Sequence, residues 1–151
     1  MVVVDKTTRT PTAIPDWWRE RYASAVVENE RLVVKTRDVP AAGTHKYALR
    51  VLWSDTDRYR HTNYQSYVRF CLDAAMDAVD KRFYVGFSED ILRYDVKTLE
   101  CLYAGESVAG EEVVVETWQD VAQPLTLLFS ISNATKMLFQ CSMEFHELLG
   151  S

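Results

Sequence analysis

Cysteine, histidine, glycine and proline are all scarce in this chain, and each scarcity narrows what it can be. The three cysteines, Cys71, Cys101 and Cys141, are odd in number and widely spaced, with no CxxC pair. Together with His45, His61 and His146 they make no zinc-ligand spacing. A disulfide-stapled secreted scaffold is thereby excluded. The cysteines read as buried free thiols in a reducing compartment, and neither a metal nor a cofactor is expected. Five glycines and four prolines leave no low-complexity linker, and no internal repeat is present. Positive charge is in deficit: the net charge is −5 and the isoelectric point about 5.2, which argues against a nucleic-acid surface. A local basic patch can still hold a phosphorylated ligand. No apolar run approaches the ~18 residues of a membrane span. The start, MVVVDKTTRT, is a poor signal peptide, so a cytoplasmic location is expected.

The remaining composition is that of a soluble globular chain, with 48% hydrophobic and 26% charged residues. Its 151 residues are enough to bury one core without staples. Residues 53–75, WSDTDRYRHTNYQSYVRFCLDAA, organise the rest. A strand-like apolar run, 47–53, enters a polar cluster, 54–63, that holds Asp55, Asp57 and His61. The chain leaves through Tyr64 as a long amphipathic helix. A carboxylate between a strand end and a helix start lies near the positive end of the helix dipole, where backbone N–H groups lack internal partners.

In chain order, residues 1–15 read as a mobile or surface-draped extension. Asp16 is the expected N-cap of a short helix over 17–30, with Trp18, Tyr22, Ala25 and Val26 on one face. Residues 32–36 suit a short strand. The long helix is expected to begin near Asn63, where Thr62 and Gln65 fit a capping box, and to run to about Lys81. Tyr64, Tyr67, Cys71, Ala74, Ala75 and Ala78 form its apolar face, which Val68, Phe70 and Val79 widen. Strands follow at 91–99 and 108–118, separated by a turn at 104–106. Leu125, Leu127, Phe129 and Ile131 then alternate with polar residues, as do Met137, Phe139, Cys141, Met143 and Phe145, giving an antiparallel hairpin with one apolar face. A lone buried helix followed by consecutive strands implies an α+β fold in which an antiparallel sheet covers the helix. Residues 1–45 form an N-terminal extension with a short helix, and 46–151 form the domain.

The segment DTDRYRHTNYQSYVRF resembles the D-x-D-x-x-x-H-x-N-x-x-x-Y signature of hotdog-fold thioesterases, of the 4-hydroxybenzoyl-CoA and plant acyl-ACP types. The later stretch RYDVKTLECLYAGESVAGEEVVVETW is similar to that family's strand, turn and strand. The resemblance covers about 47–149. It implies a five-stranded antiparallel sheet wrapped around the central helix, and domains that pair into homodimers or tetramers. The implied substrates are thioesters of coenzyme A or acyl carrier protein, as in fatty acid metabolism. The family's catalytic carboxylate falls on Asp57 and its histidine on His61. The amide that polarises the thioester carbonyl falls near Tyr64. Asn63, Tyr64, Tyr59 and Arg60 are the expected substrate-binding residues. The acyl-ACP type has asparagine where this chain has Tyr59, and many members have glycine where it has Arg60.

Thioester hydrolysis needs a way to deliver a nucleophile, donors for the oxyanion and an apolar slot. Asp57 can act as a general base on water or attack directly. It also has a plain structural reading, as a loop carboxylate accepting backbone amides before a helix. Asp55 reads as the residue that closes the turn. Two other functions stay open: a non-catalytic acyl-binding or dimerisation module, and a hydratase pairing His61 with Asp57.

Overall fold

The computed structural model describes residues 3–5, 7–8, 10–25, 34–88 and 90–148. The chain divides after residue 33 into two compact units. In the first, β1 (Val3–Val4) pairs antiparallel with β2 (Pro11–Thr12), so the expected extension contains a small hairpin. Asp5 closes it by accepting the amides of Thr7 and Thr8. Helix α1 covers Asp16–Tyr22 and gives way to a 3-10 turn over Ala23–Ala25. The rest of the expected helix, 26–30, lies outside the described residues. Pro15, not Asp16, is the N-cap: its fixed φ suits the entry, and its carbonyl accepts from Trp18 and Arg19. Trp18 and Tyr22, one turn apart, meet with ring centroids 4.7 Å apart.

The second unit is a five-stranded antiparallel sheet with one long helix. Strand β3 is His45–Arg50 and helix α2 is Tyr64–Asp80. Strands β4 (Val96–Tyr103), β5 (Glu112–Gln119), β6 (Thr126–Ser132) and β7 (Met137–Phe145) follow. The strand order is β3-β5-β6-β7-β4, which leaves β3 and β4 at the edges. Cross-strand rows build the face that meets the helix. One runs Tyr47, Val115, Ile131, Phe139, Tyr103, and the next His45, Thr117, Phe129, Cys141, Cys101. Against these rows α2 buries Tyr67, Phe70, Cys71, Ala74, Ala75 and Ala78. The three alanines let the helix approach closely. Of the expected apolar face only Tyr64, at the first turn, is exposed.

Helix α2 ends in a Schellman arrangement. Phe83 N–H donates to the Ala78 carbonyl and Arg82 N–H to Val79, with Arg82 at φ 55°. His45 Nε2 lies 2.6 Å from Asp77 Oδ2, which also takes Lys81 Nζ at 2.6 Å, joining β3 to the end of the helix.

Three strand boundaries differ from the sequence reading. Strand β3 stops at Arg50 because Asp55 Oδ2 accepts the Leu52 amide at 2.8 Å and pulls residues 53–55 into a 3-10 turn. Residues 91–93 are a second 3-10 turn, capped by Asp90, so β4 starts at Val96 and extends through Cys101 to Tyr103. Strand β5 starts at Glu112, and Val108 only bridges His61. Residues 34–36 form no strand; 32–33 lie outside the described residues.

Residues 34–39 run instead as a strap on the outer face of the sheet. Gln140 Oε1 accepts the Arg37 amide at 2.8 Å, and Gln140 Nε2 donates to the Arg37 carbonyl at 2.7 Å. The side-chain amide thus replaces one rung of a ladder, and Arg37 also pairs with Glu100 at 3.0 Å. Gln140→Ala removes both bonds from a buried position, and we expect it to cost about 2 kcal/mol. Chemical denaturation measures this, and proteolysis after Arg37 should accelerate together with the loss.

Candidate active site

Between β3 and α2 the chain has too many polar residues to enter the core, and it satisfies them locally. Thr56 and Thr62 form an isolated antiparallel bridge around a tight loop, 57–61. Asp57 closes this loop. Its N–H donates to the His61 carbonyl at 2.9 Å and its carbonyl accepts from Arg60 at 2.9 Å. Its Oδ1 accepts the amides of Tyr59 at 2.7 Å and His61 at 3.2 Å. Asp57 itself is exposed. Among the described residues no hydrogen bond engages Oδ2.

Asp55 differs in its burial and its ion pair. It is 4% exposed and accepts the Leu52 amide, and its other oxygen holds the Arg69 guanidinium. Its carbonyl takes the Asn63 amide at 2.8 Å and the Ser66 hydroxyl at 3.0 Å. It locks the loop to the first turn of α2.

Asn63 is the N-cap, with extended backbone and no side-chain capping bond. The expected capping box does not form, because the Thr62 hydroxyl is taken elsewhere: it lies 2.7 Å from Ser107 Oγ and 3.0 Å from the Ser107 carbonyl. Ser107 in turn contacts the Tyr67 hydroxyl, which accepts the Ser107 amide at 2.9 Å. This buried group nails the loop to the β4–β5 connection. At the helix start Asn63 N–H is bound to Asp55 and Ser66 N–H to the Asn63 carbonyl. Among the described residues, nothing accepts from the amides of Tyr64 and Gln65, as expected of a helix N-terminus.

His61 is half-buried, with Nδ1 3.4 Å from Glu106 Oε2. Tyr64 is 68% exposed and packs on Tyr103 with ring centroids 4.7 Å apart; Tyr103 continues onto Phe139 at 4.9 Å. Burial first, then the Cys101 thiol, pushes the Tyr103 phenol up and keeps it protonated. Arg58 lies 4.7 Å over the Tyr59 ring and bonds its hydroxyl at 2.6 Å. Arg60 lies 5.3 Å over the Trp53 ring. Both guanidiniums stand beside exposed aromatic surface.

Arg60 has φ 67°, a left-handed conformation that favours glycine. Many members of the family that the motif resembles have glycine at this position. We expect Arg60→Gly to be neutral to stabilising, by up to about 1 kcal/mol, since relief of this strain exceeds the loss of an exposed contact with Trp53. The melting temperature checks it.

The six expected site residues, Asp57, Tyr59, Arg60, His61, Asn63 and Tyr64, all lie on this loop and helix start. Sequence reasoning missed Glu106, Ser107 and Tyr103, which reach the loop from the other end of β4. The polar pair Glu106-Ser107 inside an otherwise apolar stretch was the available signal.

No family model matches the chain, and no curated protein matches it. Solved structures do match. A 12:0-ACP thioesterase from Umbellularia californica superposes with a TM-score of 0.68 at 15% identity, over 95% of this chain and 52% of that one. A putative oleoyl thioesterase from Lactobacillus plantarum gives 0.71 at 18% identity, over 97% and 55%. A 1,4-dihydroxy-2-naphthoyl-CoA thioesterase from Synechocystis gives 0.53 at 15%, over 66% and 78%. The fold is therefore the hotdog fold, with its sheet wrapped around a central helix. The chain spans about half the length of the first two of these structures.

Proposed function

We propose that this protein hydrolyses an acyl thioester of coenzyme A or of an acyl carrier protein to a free acid and a thiol. The observation that carries the reading is Asp57. One carboxylate oxygen is anchored by two backbone amides and the other is unengaged among the described residues, on the loop that leads into a helix start with two unclaimed N–H groups. In this reading Asp57 removes a proton from water, or adds to the thioester carbon itself to give an anhydride that water then opens. The amides of Tyr64 and Gln65 receive the oxyanion, where one such donor contributes about 3 kcal/mol. The thiolate leaves without a strong acid, which fits a site with few functional groups.

His61, held by Glu106, orients the loop and the substrate. Arg58 and Arg60 offer cations to the phosphates of the thiol carrier, and Asn63 and Tyr59 line the approach. Trp53, Tyr64 and Tyr103 supply apolar surface for the acyl group. A second copy of the chain completes the slot, in a homodimer or tetramer working in the cytoplasm.

The test is thiol release from a panel of acyl- and aryl-CoA thioesters and acyl carrier protein thioesters, with turnover expected on at least one. A second reading, a non-catalytic acyl-binding module, draws on the share of Asp57 in closing its own loop and on Tyr59 in place of the family's asparagine. Binding of acyl-CoA without turnover on any substrate would select it. Consumption of an enoyl-CoA without thiol release would indicate a hydratase.

A further inference from the structure

The three cysteines, far apart in sequence, meet at one place. Cys101 in β4 and Cys141 in β7 are directly opposed. Their pairing type follows from the ladder. Ala104 N–H donates to the Leu138 carbonyl at 2.9 Å, so these two opposed residues are a hydrogen-bonded pair. Antiparallel pairs alternate, which makes Cys101 and Cys141, three steps along, a non-hydrogen-bonded pair. Such pairs have Cα atoms about 4.5 Å apart and side chains on one face. That separation falls inside the roughly 4.4–6.8 Å that a disulfide needs. Each of these two thiols perturbs the titration of the other, and Cys71 of α2 perturbs that of Cys141, so the three sulfurs lie near one another. Access differs among the three: Cys101 is half-buried on an edge strand, whereas Cys141 and Cys71 are buried.

We propose that Cys101 and Cys141 form a redox modification site, a dithiol that a low-molecular-weight disulfide closes into a cross-strand bridge while Cys71 stays reduced. Cys101 reacts first because it alone can be reached. Its sulfur bonds to one sulfur of the small disulfide, whose S–S bond breaks. The departing thiol takes the proton that Cys101 gives up. Cys141 then attacks the Cys101 sulfur of the mixed disulfide, and the second small thiol leaves with the Cys141 proton. Two electrons pass from the protein dithiol to the small disulfide, which ends as two thiols.

The neighbouring Cys141 thiol, then burial, pushes the Cys101 thiol up. For Cys141 the Cys101 thiol pulls downward, but Cys71 and burial outweigh it, and the thiol is raised. Thiolate is therefore scarce at neutral pH. Closure is slow there and accelerates by about tenfold per pH unit as pH rises. The bridge would tether β4 two residues from Tyr103, the ring that supports Tyr64 beside the candidate site.

The test incubates the full chain with excess oxidised glutathione at alkaline pH and maps peptides without reduction. We expect a Cys101–Cys141 crosslink within one chain, with loss of two hydrogens. Cys71 should be alkylated only after unfolding, the melting temperature should rise by several degrees, and reductant should reverse both changes. Cys71→Ala should leave the crosslink intact, and Cys101→Ser should abolish it. A crosslink containing Cys71, one joining two chains, a glutathione adduct on Cys101 that never resolves, or no oxidation after prolonged incubation would each overturn the proposal.

Discussion

Asp57→Asn is expected to lower turnover of an acyl thioester by about 10²- to 10⁴-fold, the range a general base contributes, while moving the melting temperature little. The substitution separates the two roles the residue holds. An asparagine Oδ1 still accepts the amides of Tyr59 and His61, so the loop keeps its closure. What it loses is the charge and basicity of the second oxygen. Asp57→Ala, by contrast, leaves two loop amides to water and should cost an additional 1–2 kcal/mol of stability. Initial rates of thiol release, read beside thermal melts, distinguish the cases. Undiminished turnover in Asp57→Asn would remove this residue from the chemistry and leave it a loop cap. A single turnover in heavy-oxygen water separates the two catalytic roles, because only a nucleophilic Asp57 acquires the label.

The second large effect belongs to the other aspartate of the pair. Asp55→Ala should destabilise the domain by about 3 kcal/mol and lower the melting temperature by roughly 10 °C. The carboxylate is buried, so its loss strands the Leu52 amide and withdraws the partner of Arg69. Arg69 is about half exposed, and water recovers part of its interaction; most of the cost comes from the backbone amide and the collapse of the 3-10 turn. Folded Asp55→Ala protein at low temperature should retain more activity than Asp57→Asn. The reverse ranking would exchange the roles of the two residues.

The distinction between these aspartates was partly legible before any coordinates. Residue types alone left both carboxylates of the polar cluster open. The motif spacing singled out the second, and the loop geometry gives the first a buried structural place. Arg60 was legible in the same way, as a residue in a position that suits glycine, and its positive φ gives the physical basis. The strand ends were read less well. Residues 51–53 and 91–95 have apolar content like a strand, but a side-chain carboxylate, Asp55 in one case and Asp90 in the other, offers the backbone a turn instead.

The chain by itself determined the helix, the inward faces of β6 and β7, and the loop that holds Asp57, because each follows from local periodicity or from residues within a few positions of one another. Only the tertiary structure decided that β4 lies beside β7, that Ser107 anchors Thr62 across 45 positions, that Glu106 reaches His61, and that three scattered cysteines come together. A period of two states which way a side chain faces but not which strand lies opposite. That choice is made when the whole sheet closes around the helix and every register must bury its apolar face at once.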